Sequence, residues 1–190
     1  MIMVHGRGAR AEDVLTLVPE LNRPDFAYVA PQAAEFTWYP NRFLMPLESN
    51  EPWLSSALQA VADVLATVEA AGIPPQRTIM LGFSQGACLT LEFVARNARR
   101  YGDVAGLSGG LIGPDDTPRD YPGSLAGTPV FLGCSDVDPH IPKERVQETT
   151  RVLRGMGGDV TERFYPGMGH EISADEIGYV RQMMRALVKS

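Results

Sequence analysis

One serine in this chain is set for nucleophilic chemistry. Gly82-Phe83-Ser84-Gln85-Gly86 follows a short apolar run and leads straight into an amphipathic stretch. A G-x-S-x-G pattern at a strand-to-helix corner needs small residues around the serine, because the turn is too sharp for larger side chains. Gly82 and Gly86 meet that need. Such a corner lifts the Ser84 hydroxyl above the sheet edge and sets it at a helix N-terminus, where negative charge is favoured.

A serine hydroxyl is a weak nucleophile until a base takes its proton. Of three histidines, His170 lies in Tyr165-Pro166-Gly167-Met168-Gly169-His170, a glycine-bounded loop between a strand-like run and the last helical stretch. From there it can reach back over the serine. His5 precedes a glycine turn and is expected to brace it, and His140 is expected at a pocket rim or on the surface. The acid that orients the base is Asp136 or Asp138, both just after the apolar run Val130–Leu132, and spacing does not separate them. Cys134, Asp136, Asp138 and His140 alternate like metal ligands, but Pro139 breaks the extended geometry they would need. Neither a metal nor an organic cofactor is expected. Acyl transfer also needs N–H donors facing the developing oxyanion. Gln85, directly after the serine, offers one, and the His5-Gly6-Arg7-Gly8 stretch is placed to offer another.

These groups need a scaffold that brings them together. Apolar runs at Ile2–Val4, Phe26–Ala30, Thr78–Leu81, Val104–Leu107, Val130–Leu132 and Val160–Tyr165 read as strands. Between and after them, Trp53–Ala71, Ala87–Arg99, Lys143–Met156 and Ala174–Val188 carry helical periodicity. Leu54, Leu58, Val61, Leu65 and Val68 mark one buried face, and Ile177, Val180, Met184 and Leu187 another. Such alternation predicts an α/β fold with a mostly parallel sheet covered on both faces. Ligands then bind at the carboxyl ends of the strands, where the polar, glycine-rich motifs fall. Two connections are irregular: Gln32–Glu51, rich in aromatics and proline, and the polar Gly113–Thr128, read as a surface loop.

The 190 residues fit one domain, 1–190. With 17 Lys+Arg against 23 Asp+Glu and a formal charge of -6, the chain does not suit nucleic-acid binding. Two cysteines make no disulfide framework. No stretch is apolar enough to span a bilayer and no export leader is evident, so a cytoplasmic protein is expected.

Together the motifs resemble the phospholipase/carboxylesterase family of small α/β-hydrolases, which includes acyl-protein thioesterases. The likeness runs through His5-Gly6-Arg7-Gly8, Gly82-Phe83-Ser84-Gln85-Gly86, Asp136-Val137-Asp138-Pro139-His140-Ile141-Pro142 and the His170 loop. It implies Ser84 as nucleophile, His170 as base, Asp138 as acid, and the amides of Arg7 and Gln85 as oxyanion donors. It also implies that one or more N-terminal strands usual in the family are missing before Ile2. Arg7 stands where thioesterase members often carry leucine, so its side chain is expected either in solvent or against a polar or anionic part of a ligand.

Trp38, Tyr39, Phe43 and Met45 in the aromatic connection, with Phe83 and Met168 nearby, are expected to line an apolar substrate pocket. The expected activity is hydrolysis of small or medium acyl or aryl esters. Thioester or lysophospholipid hydrolysis, carbon–carbon bond hydrolysis and a non-catalytic binding module are the alternatives. A small-molecule ester is the expected partner, and a homodimer is left open.

Overall fold

Along β1 (Ile2–Val4), β2 (Ile79–Phe83), β3 (Asp103–Leu107), β4 (Pro129–Ser135) and β5 (Asp159–Tyr165), successive side chains point to opposite faces. In the computed structural model, which describes residues 1–189, these strands form one parallel sheet in the order β1-β2-β3-β4-β5. Val4 lies opposite Gly82, Gly82 opposite Gly106, and Leu107 opposite Gly133. This register brings the ends of the first three strands close to one level, β4 runs on from Gly133 to Ser135, and the loops that follow open at one edge of the sheet.

In a parallel sheet of sequential order, right-handed crossovers place the last helix of each connection on the same face. That face carries α3 (Trp53–Ala70), α4 (Gln85–Arg96) and α5 (Lys143–Gly155). Their Leu54, Val61, Leu89, Val146 and Leu153 pack with Ile2, Val4, Met80, Val104 and Leu132. The opposite face holds α1 (Ala11–Leu15), α2 (Val18–Leu21) and α6 (Ala174–Lys189). There Val14, Leu21, Ile177, Val180 and Met184 cover Met3, Ile79, Leu81, Ala105 and Phe131. The sheet is thus buried on both sides, which is the α/β-hydrolase arrangement. Among the described residues, no helix is long and apolar enough to cross a membrane.

Four expectations change. Phe26–Ala30 is not a strand: Val29 makes a single parallel bridge to Ile2, through hydrogen bonds from Met3 N to Val29 O and from Val29 N to Met1 O. Pro31 has no N–H to extend the pairing, and β1 is only three residues long. Helices α1 and α2 are too short to show a period and were not foreseen. Helix α4 begins at Gln85 rather than Ala87, with Ser84 as its N-cap. The Gly113–Thr128 loop is not wholly superficial: Leu125 and Thr128 are buried, and Thr128 Oγ1 accepts a hydrogen bond from Tyr101 N at 3.0 Å.

Candidate active site

The corner between β2 and α4 holds Ser84 at φ 56° and ψ -122°, a region costly for a residue with a side chain. Close packing enforces it. A Cβ at Gly82 would stand 2.3 Å from Gly86 O, and one at Gly86 would stand 2.2 Å from Val4 O. The Ser84 amide donates to Leu107 O at 3.0 Å, which ties the corner to β3. Gln85 opens the helix, and its N–H has no acceptor within the helix itself.

Above this corner three side chains form a continuous hydrogen-bonded line. His170 Nε2 lies 2.7 Å from Ser84 Oγ, and His170 Nδ1 lies 2.7 Å from Asp138 Oδ2. The Asp138 carboxylate is fully enclosed, whereas His170 keeps 18% of its side chain exposed. Burial works against charge on Asp138. The hydrogen bond from His170 and the amides of His140 (2.8 Å) and Ile141 (3.0 Å) outweigh it and hold the carboxyl below its usual range. The Cys134 thiol beside it is pushed up to about 12, by burial first and then by this carboxylate.

Asp136, the other acid candidate, points elsewhere. Its Oδ1 accepts the Gly167 amide at 2.8 Å, and the Ser135 hydroxyl donates to Met168 O. Both bonds stitch the acid's loop to the base's loop. Phe83 lies 5.2 Å from the His170 ring, and His140 meets that ring edge-on at 4.8 Å.

Ser84 and His170 open into a cavity of about 270 Å³, whose other lining includes Arg7, Tyr39, Arg42, Phe43, His140 and Ile141. Of the six residues expected in a pocket, Tyr39 and Phe43 line this one. Trp38 is packed away behind it: its Nε1 donates to His5 O at 2.8 Å and its ring lies 4.8 Å from the His5 ring. Met45 is exposed to solvent, outside the cavity. Phe83 instead borders a second, more apolar cavity of about 220 Å³ with Val14, Leu17 and Ile172. Met168 lines neither of the two cavities; its carbonyl receives the Ser135 hydroxyl. Arg42 and Ile141 were missed. A cation set among Tyr39, Pro40 and Phe43 was the available signal for Arg42.

The Arg7 side chain is exposed at the cavity, as expected, but it is also tied to the protein. Its guanidinium donates to Tyr39 O (2.9 Å), Pro40 O (3.0 Å) and Asn41 O (2.7 Å). Gln85 holds the same segment from below: its Oε1 accepts Trp38 N at 3.0 Å, and its Nε2 donates to Tyr39 O at 2.8 Å. His5 completes the frame, accepting the Ala33 amide on Nε2 at 3.1 Å while Nδ1 donates to Gly6 O at 2.8 Å. The glycine turn presses on the serine, since a Cβ at Gly6 would stand 3.3 Å from Ser84 Cβ.

A carboxylate, an imidazole and a hydroxyl in this order can move a proton off the hydroxyl without a metal. Among the described residues, no group of three or more His, Cys, Asp or Glu side chains is gathered to hold a metal ion.

Comparison with known proteins bears on the family and the fold. A crystal structure of a phospholipase/carboxylesterase from Dyadobacter fermentans matches with a TM-score of 0.93 at 44% identity, covering 97% of this chain and 88% of that one. Acyl-protein thioesterase 1 of Gibberella zeae is 32% identical over 123 residues, 60% of this chain and 49% of that protein. A probable carboxylesterase of Oryza sativa subsp. japonica is 34% identical over 138 residues, 70% of this chain and 52% of that protein. The chain therefore spans about half the length of these curated relatives. The family model described as phospholipase/carboxylesterase matches residues 1–188, and on that near-complete match the chain belongs to the phospholipase/carboxylesterase family of α/β-hydrolases.

Proposed function

We propose that the chain is a serine carboxylesterase that cleaves small or medium acyl or aryl esters through an acyl-Ser84 intermediate. The observation that carries this reading is the pair of 2.7 Å contacts linking Ser84 Oγ, His170 and Asp138. As Ser84 Oγ bonds to the ester carbonyl carbon, its proton passes to His170 Nε2, and Asp138 stabilises the imidazolium at Nδ1. Positioned general-base catalysis of this kind contributes about 10²–10⁴ in rate. The amides of Gln85 and Arg7 receive the carbonyl oxygen as it becomes an anion, each contributing about 10²–10³. The carbon–oxygen bond to the alcohol then breaks, and His170 gives the alcohol its proton. Water next attacks the acyl carbon, loses a proton to His170, and the acid departs as that proton returns to Ser84 Oγ. The exposed edge of His170 supports this step by leaving water a route in.

The test is turnover of p-nitrophenyl acetate and butyrate by the wild-type protein beside Ser84→Ala. The expected result is a burst and steady turnover that the variant loses, with a fluorophosphonate probe labelling only the wild type. Absence of both turnover and labelling would point to a binding module instead. Thioester hydrolysis by the same steps is the second reading, favoured by similarity to a protein named as an acyl-protein thioesterase.

A further inference from the structure

The catalytic cavity differs in sign from the molecule around it. The chain carries a formal charge of -6, yet Arg7 and Arg42 line the cavity and no Asp or Glu does. The nearest acid of the site, Asp138, is enclosed behind His170 and fully engaged there. Arg7 spends its hydrogen bonds on three neutral carbonyls, which position its charge without cancelling it. Arg145, behind Phe43, is by contrast paired with Asp115 and Glu148.

Arg42 has no hydrogen bond or ion pair from its side chain to any described residue, and its main chain is firmly set. Asn41 N donates to the buried Asn50 Oδ1 at 2.8 Å, Asn50 Nδ2 donates to Arg42 O at 3.3 Å, and Gly113 N donates to Phe43 O at 2.7 Å. Arg42, an exposed residue of the cavity lining, thus carries a guanidinium without a protein partner on an anchored main chain. A guanidinium is weakly hydrated and its fork matches a carboxylate with two parallel hydrogen bonds.

We infer that the preferred ester carries a carboxylate besides its scissile bond, and that Arg42 binds it. This rests on the esterase reading and names its substrate class. One guanidinium with all its donors free suits a monoanion better than a dianionic phosphate monoester, since Arg7 has committed its donors to carbonyls. The small cavity suits a short ester rather than a long acyl chain.

The experiment compares kcat/KM for two matched pairs of esters in the wild type, Arg42→Gln and Arg42→Lys. The first pair, 4-nitrophenyl valerate and mono-4-nitrophenyl glutarate, places the carboxylate on the acyl side. The second, phenyl acetate and 4-acetoxybenzoate, places it on the leaving group. The expected result is that the anionic-to-neutral ratio falls about 10- to 100-fold in Arg42→Gln for at least one pair, the loss of one charge-assisted hydrogen bond, with part of it restored in Arg42→Lys. Equal ratios in wild type and Arg42→Gln for both pairs would overturn carboxylate binding while leaving the esterase intact. Failure of the wild type to turn over any of the four esters would overturn both readings.

Discussion

Asp136 and Gly167 are joined by a 2.8 Å hydrogen bond from the Gly167 amide to the carboxylate. That bond gives two aspartates, two residues apart, different neighbours. Asp138 faces the imidazole, while Asp136 fastens the loop that presents it. The Ser135 hydroxyl on Met168 O and the Asp136 amide on Tyr165 O reinforce the same join.

Substitution at the two aspartates should therefore differ in scale. In the proposed mechanism Asp138→Asn removes the charge that stabilises the imidazolium, and it is expected to lower kcat by about 10³–10⁴. Asp136→Ala loses one of several loop contacts and is expected to cost about fivefold. Steady-state kinetics on p-nitrophenyl butyrate measures both, and equal losses would contradict the division of roles.

Gly86→Ala tests the corner itself. The added methyl would meet Val4 O at 2.2 Å and His5 O at 2.5 Å, both main-chain atoms that cannot swing aside. Destabilisation of about 3 kcal/mol and loss of fluorophosphonate labelling are expected, read from urea unfolding and from the probe. A fully stable, fully labelled variant would show that the corner tolerates expansion.

Gln85→Ala keeps the amide beside the serine but removes the side chain that holds the amide of Trp38 and the carbonyl of Tyr39. Leaving the buried Trp38 amide unpaired should cost about 1–3 kcal/mol, while Tyr39 O keeps its hydrogen bond from Arg7. Hydrogen exchange should quicken in residues 37–41, with KM rising more than kcat falls. Unchanged exchange there would mean that Arg7 alone holds the segment.

Asp103 supplies a pH-dependent effect away from the site. Burial pushes its carboxyl up to about 7, only partly opposed by Arg100, and its Oδ2 lacks a hydrogen-bond partner among the described residues. An unfolded aspartate ionises near 3.9. Because the folded value is raised, the stability this residue allows is fully present below about 4 and is lost as pH rises through 7. Asp103→Asn should therefore stabilise the protein at pH 8, by up to about 4 kcal/mol for a shift of three units, and give no gain at pH 4. Thermal melts at the two pH values decide it.

The parts of this molecule most legible in the sequence are those with local chemical signatures. The elbow around Ser84 is written in its own glycines, and the long helical period of α3 shows in Leu54, Val61 and Leu65. Leu58 and Val68, expected on that buried face, are only partly covered, because Ala57 takes the inner position. The choice between Asp136 and Asp138 needed family likeness, since both have the same residue type and leave the same strand. The pocket was hardest to read. Whether Trp38 faces a ligand or the protein depends on a hydrogen bond to His5 O, 33 residues away, and nothing in the spacing encodes that partner. Arg7 likewise finds its acceptors on main-chain oxygens, which every residue carries and no sequence pattern marks.

That last arrangement has an evolutionary reach. Because Arg7 and Gln85 grip residues 38–41 chiefly by main-chain atoms, the fastening is indifferent to which side chains the segment displays. If Arg42 meets the substrate as proposed, exchange at position 42 changes that contact without loosening the latch beneath it. A family of enzymes with altered selectivity can thus arise on one scaffold by variation at the tip of a loop, and saturation of that position is the natural starting library for redirecting this one.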